Sequence, residues 1–211
     1  MRRFFKTGPG DYGAGDRFLG VSVPQLRQLA RQYQDLALGQ VSRLLSSPWH
    51  EERLLATLML VRQYRRGTWH QREAIYRLYL RRRVRINNWD LVDSSAEHIV
   101  GAHLRKGDRS ILRRLANSRR VWDRRIAIIA TFHYIKRGEF AETVRLARLL
   151  LADPHDLIHK AVGWMLREAG KRDRTVTERF LRRHGKRMPR TMLRYAIELF
   201  PSRLRRRYLA A

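Results

Sequence analysis

The stretch Val121-Trp122-Asp123-Arg124-Arg125-Ile126-Ala127-Ile128-Ile129-Ala130 is apolar on nearly every side of a helix, a pattern that suits a helix packed among other helices. Aligning it with segments that open at Pro48, Asn88, Asp156 and Pro189 gives steps of about 40, 33, 35 and 33 residues, the period of a helical-repeat solenoid. Trp49, Trp89 and Trp122 fall near three of these starts. Ala56, Ala96, Ala127, Ala161 and Ala196 fall near the middle of each helix, where a small residue lets neighbours approach. The expected fold is therefore all-α, a superhelical stack of HEAT-like helix pairs with a concave basic face, forming one domain over residues 1–211. A plain helical bundle is the alternative.

Punctuation supports this reading. From residue 22 onward no alternating strand pattern occurs. Helix starts are signalled at Ser22 with Pro24, Ser47 with Pro48 and Glu51, Thr68 with Gln71, Asn87, Asp153 with Pro154, Pro189 and Pro201. Gly39, Gly67, Gly101, Gly138, Gly170 and Gly185 stand where helices are expected to stop. Residues 1–20 form a Gly-rich segment without the Gly-Lys-Ser/Thr ending of a phosphate-binding loop, so no nucleotide is expected there.

The 211 residues carry 46 Lys+Arg against 19 Asp+Glu, a formal net charge of +27, with 44% hydrophobic residues. Charge of that size concerns partners rather than fold, and polyphosphate is the usual partner. Of the basic residues 40 are Arg, so part of the charge is solvated surface. The longest aliphatic run, Ile126 to Ala130, falls far short of the roughly 20 residues that span a bilayer, and no membrane association is expected. Met1-Arg2-Arg3-Phe4-Phe5-Lys6 is basic without an apolar run after it and does not read as a secretory signal. With no cysteine, a cytoplasmic monomer acting on DNA is the expectation, without cofactor or metal.

Near each repeat's central alanine most repeats place a base: Arg53, Arg125, Lys160 and Arg194. The second repeat places Asp93 instead. One carboxylate in a row of cations is the outstanding anomaly of the chain, and such neighbours favour its ionised form. Trp89 lies one turn before it on a helix whose apolar stripe is Leu91, Val92, Ala96, Ile99 and Val100; a packed Trp beside a salt-bridged Asp is the plainer reading. In the fourth repeat Lys160, Trp164, Arg167 and Lys171 share a face away from the stripe of Leu157, Ile158, Ala161, Val162, Met165 and Leu166. A Trp in a basic stripe suits contact with phosphate, sugar or a cationic ligand, or else a neighbouring repeat covers it. Arg125, surrounded by Ile128, Ile129 and Phe132, is expected to be half-buried and to need a carboxylate or phosphate, Asp93 or DNA, unless its head simply reaches water. Arg53, Arg190 and Arg194 join Lys160, Arg167 and Lys171 as candidate DNA contacts. His155 and His159 lack a third metal ligand and read as surface residues.

On Trp89-Asp90-Leu91-Val92-Asp93, Trp122-Asp123-Arg124-Arg125-Ile126-Ala127 and Lys160-Ala161-Val162-Gly163-Trp164-Met165-Leu166-Arg167-Glu168, the chain resembles the AlkD-like DNA alkylation repair proteins. The likeness runs from Phe5-Lys6-Thr7-Gly8-Pro9-Gly10 through Pro48-Trp49-His50-Glu51-Glu52-Arg53 to Met188-Pro189-Arg190-Thr191-Met192-Leu193-Arg194. It implies a monofunctional DNA glycosylase of HEAT-like repeats that excises positively charged N3- and N7-alkylpurines from duplex DNA without flipping the base, the first step of base excision repair. In that resemblance Asp93 matches the catalytic aspartate, Trp89 and Trp164 the tryptophans that frame the lesion's deoxyribose, and Arg125 the active-site arginine. Family members usually carry a further helix ahead of the position where Met1 stands. Some relatives of this fold bind branched or distorted DNA without excising bases, which is the alternative function; a scaffold for RNA or protein is a third.

Overall fold

The period of about 35 residues has a local chemical basis. In three repeats the loop before a long helix is closed by the same pair of contacts. Ser47, Ser118 and Asp153 each accept, through the side chain, the N–H two residues on: Trp49 at 3.0 Å, Arg120 at 3.2 Å and His155 at 2.9 Å. The carbonyl of the same residue then accepts from a side chain six positions ahead: Arg53 at 3.0 Å, Arg124 at 3.1 Å and His159 at 2.5 Å. Arg53 and Arg124 each also bond the following carbonyl and pair with an aspartate, Asp16 or Asp153. Loop carbonyls that would otherwise be buried without partners are satisfied by the helix they precede.

The computed structural model describes residues 5–210; the start of the basic N-terminal stretch lies outside them. Among the described residues there is no strand, only an isolated bridge between Arg17 and Trp49. No helix is long and apolar enough to cross a membrane. Two compact units form, one ending at His103 and one beginning at Leu104. The first holds α1 (Val23–Gln32), α2 (Leu38–Leu45), α3 (His50–Arg66), α4 (Trp69–Arg82) and α5 (Trp89–Asp93); the second holds α6 (Ser110–Ala116), α7 (Val121–Ala130), α8 (Phe132–Ile135), α9 (Ala141–Leu149), α10 (Asp156–Arg172), α11 (Arg174–His184), α12 (Arg190–Ala196) and α13 (Ser202–Ala210).

The five expected repeat starts fall within two residues of observed helix starts, and Ala56, Ala96, Ala127, Ala161 and Ala196 are all buried. In the first unit α3 packs against α1, α2 and α4; in the second α10 packs against α7, α11 and α12. At Gly163 an added Cβ would lie 2.5 Å from both the Met192 carbonyl oxygen and the Tyr195 Cβ, so α10 and α12 meet almost backbone to backbone. Gly163→Ala is expected to lower stability by about 1–3 kcal/mol through overpacking, read from the urea midpoint; an unchanged midpoint would mean α12 shifts freely.

Three expectations need correction. Gly39 and Gly170 lie inside α2 and α10 rather than ending them; Gly170 is small because Thr177 of α11 lies 2.9 Å from where its Cβ would be. The helix opening at Asn88 is not continuous. Ser94 and Ser95 turn their hydroxyls back onto the Leu91 carbonyl, at 3.3 and 2.5 Å, which competes with helical bonding. α5 stops at Asp93, and Glu97–Gly101 resumes as a π-helical stretch. The stripe residues Leu91, Val92, Ala96, Ile99 and Val100 are nonetheless fully buried.

Candidate active site

Five residues are too few for a stable helix by themselves, so α5 depends on what holds its first turn. Asn88 is its N-cap: the side-chain oxygen accepts the Trp89 N–H at 2.8 Å, and the amide donates to Asp16 Oδ2 at 3.0 Å. Asp90 accepts the Leu91 N–H through Oδ1 at 3.0 Å and takes His50 Nε2 on Oδ2 at 2.8 Å. His50 Nδ1 lies 3.3 Å from Asp16 Oδ2, and Arg53 Nη2 is 2.5 Å from Asp16 Oδ1. An imidazole donates to two carboxylates only as imidazolium. Burial alone would lower the pKa of His50, but Asp16 and Asp90 outweigh it and hold it at about 9. Burial likewise pushes Asp16 upward; His50, Arg53 and Asn88 reverse this and keep its carboxyl below the usual range.

This network also fastens the Gly-rich segment. Both oxygens of buried Glu51 accept backbone N–H groups, from Leu19 and Gly20, at 2.9 Å each. Phe5 and Phe18 pack on the His50 ring at 4.7 and 4.9 Å, and Trp89 stacks on Phe5 at 5.3 Å. Trp89 remains half-buried, as does Asp93 at the end of the helix. Beneath Asp93 the fully buried Tyr79 hydroxyl lies 2.9 Å from Ser95 Oγ. Burial pushes this phenol far up and the Asp93 charge adds to the rise, with the Ser95 bond opposing; Tyr79 is therefore a neutral support.

In the second unit Arg125 is buried, deeper than expected, and its Nη1 donates to the Leu157 carbonyl at 2.5 Å, in the first turn of α10. Trp164 is half-buried and tilts against Phe132 at 5.7 Å. Lys136 lies 4.2 Å above the Phe132 ring and Arg172 5.9 Å from it, so the ring that Trp164 packs against carries two cations other than those of the expected stripe.

A sequence model of the DNA alkylation repair enzymes matches residues 1–200. The chain belongs to this family. The DNA alkylation repair fold is evident in solved structures as well: a predicted DNA alkylation repair enzyme from Enterococcus faecalis superposes with a TM-score of 0.68 at 14% identity, covering 90% of this chain and 92% of that one. No curated protein matches. A role in the repair of alkylated DNA follows from membership of the family, with DNA as the partner.

Within this DNA alkylation repair protein, the proposed row of DNA-facing bases is uneven. Arg53 is only 3% exposed and locked to Asp16, Ser47 and Pro48, so it cannot reach a duplex. Its repeat equivalent is Arg124, not Arg125, as the shared six-residue clasp shows. Lys160 pairs with Asp156 and Lys171 with Glu168, each at 2.8 Å, and Arg167 pairs with Glu198. Those three stripe cations are thus partly neutralised. Arg190 and Arg194 are exposed, Arg190 donating to the Leu209 carbonyl at 2.5 Å. His159 is a clasp residue rather than a free surface histidine. Sequence reasoning missed His50, Asp16, Asn88 and Tyr79; the available signal was a His-Glu-Glu-Arg run at a helix start, too polar for a buried first turn unless partnered.

Proposed function

We propose that the protein is a DNA glycosylase that hydrolyses the N-glycosidic bond of positively charged N3- and N7-alkylpurines in duplex DNA. The observation that carries this reading is the short Trp89–Asp93 helix of a DNA alkylation repair family member, held by a buried charged network while Trp89 and Asp93 keep partly exposed side chains. A cationic alkylpurine is already a good leaving group, so a general acid is dispensable. An ionised Asp93 then stabilises the oxocarbenium-like sugar and orients the attacking water. Trp89 and Trp164 contribute cation–π attraction, and Arg125 serves as the active-site arginine by its resemblance to the family's.

Incubation with methylated duplex DNA, measuring release of free 7-methylguanine and 3-methyladenine over the spontaneous background, tests the proposal. Tight binding to the same DNA without release would favour a non-catalytic reader of distorted DNA. Trp164→Ala is expected to slow excision about tenfold or more with little change in melting temperature. A drop of about 3 kcal/mol or more in stability, with the rate per folded molecule intact, would make Trp164 a packing residue instead. Binding to undamaged duplex is expected to weaken on the order of a thousandfold between 50 and 200 mM salt if six or more phosphates are contacted; a salt-insensitive affinity would remove the basic-face reading.

A further inference from the structure

A groove of about 440 Å³ runs between α9 and α11, lined by none of the residues named above for catalysis or DNA contact. Arg145 and Arg148 reach it from α9, Arg179 and Arg183 from α11. Their spacings of three and four place each pair on one helix face, where like charges repel. Among the described residues Arg148, Arg179 and Arg183 form no salt bridge, and Arg145 has only Glu142 at 3.7 Å. In the α10 stripe, by contrast, Lys160, Arg167 and Lys171 are each answered by a carboxylate. Arg148 and Arg183 are thus without a carboxylate partner among the described residues, and Arg145 and Arg179 are only weakly answered, by Glu142 and by the charge of Asp173, which leaves the cluster with an unmet demand for anions.

The rest of the lining is largely apolar: Phe140, Ala141, Val144, Val176 and Phe180. Phe180 is only 3% exposed and its ring packs on His184 at 4.8 Å, so it offers no free face on which a nucleobase could stack. Burial, and then the charges of Arg187, Arg148 and Arg183, hold the pKa of His184 down, so at neutral pH it adds no charge. A single-strand track needs cations and successive flat exposed rings, and a duplex backbone, held through its phosphates by polar groups, has no use for an apolar floor between the cations. This groove presents cations around valines and one half-buried phenyl ring, Phe140, short of a run of stacking rings, which suits carboxylates flanking a bulky side chain, with bidentate Arg–carboxylate pairing for orientation.

We propose that the groove docks an acidic peptide segment of a partner protein, a run of carboxylates carrying one or two bulky apolar side chains. The test is fluorescence anisotropy at 150 mM salt with a labelled hexapeptide of four aspartates, a leucine and a phenylalanine, set against a peptide of four aspartates and two glycines. The leucine–phenylalanine peptide is expected to bind at least tenfold tighter. Arg148→Ala combined with Arg183→Ala, and separately Val176→Asp, should each erase that preference, with melting curves confirming that the variants fold. Arg81→Ala with Arg82→Ala, exposed on α4, should leave it in place. Equal affinity for the two peptides would reduce the effect to bulk charge and overturn the proposal. So would a single-stranded oligonucleotide whose binding alone depends on Arg148 and Arg183, since the occupant would then be nucleic acid.

Discussion

Asp93→Asn is expected to slow excision of 7-methylguanine by on the order of a hundredfold or more under single-turnover conditions. Asparagine keeps the size of the side chain and removes its charge, so the oxocarbenium-like sugar loses its counterion and the water loses its acceptor. Because cationic purines leave spontaneously, the comparison is made after subtracting the uncatalysed rate. Affinity for methylated duplex should hold or rise, since one anion is removed from a basic protein. Stability should change little: Asp93 is partly exposed, and the buried neighbour it influences, Tyr79, stays protonated in either case. An Asp93 that served only to brace the helix would show the opposite signature, a lower melting temperature with the rate per folded molecule preserved. Wild-type excision in the asparagine variant would sink the glycosylase assignment.

Asp16→Ala carries the largest expected effect on folding, a loss of about 3–5 kcal/mol, because it strands buried cations that have been taken out of water. Arg53 would lose its carboxylate and His50 one of its two. Urea denaturation measures the loss, and a change below about 1 kcal/mol would show that solvent enters the cluster freely. The same network sets a pH window. His50 binds its proton more tightly folded than unfolded, so its contribution is fully present below the ordinary value of 6.5 and is lost as pH rises through about 9. Asp16 behaves in the mirror sense, contributing above 3.8 and losing that contribution as the pH falls through its lowered folded value. The wild-type protein should therefore weaken between pH 7 and 9, and His50→Gln, already destabilised, should show a flatter slope there. An equal slope in both proteins would place the alkaline loss elsewhere.

How much of this was legible in the sequence depended on distance along the chain. Helix starts at Ser22 and Thr68 were readable because the capping partner sits three residues away; the start signal read at Asn87 falls one residue before the N-cap, Asn88. The buried alanines were readable because their period repeats five times. The Asp16–His50–Asp90 cluster was not, since its members stand 34 and 40 residues apart and no local pattern joins them. Arg53 was assigned to the wrong surface by a one-residue slip, which apolar periodicity tolerates and a hydrogen bond to a particular carbonyl does not. The break at Ser94 and Ser95 lay hidden beneath an apolar stripe that continues across it. Asp93 stood out because its charge opposed its neighbours'; Asp156–Lys160 and Glu168–Lys171, four and three residues apart, were within reach of the same local reading, whereas Arg167–Glu198, 31 residues apart, was not.

The six-residue clasp at Ser47, Ser118 and Asp153 has a consequence for ancestry. Each instance closes its loop with a side chain from the helix that follows, so the instructions for the bend travel inside the segment that bends. A segment copied along a gene would arrive with its own joint already specified and would need only an apolar flank to rest against. Arginine in two copies and histidine in the third then read as spelling variants of one inherited hinge. Growth by duplication would add length to such a protein without requiring a new way to turn a corner.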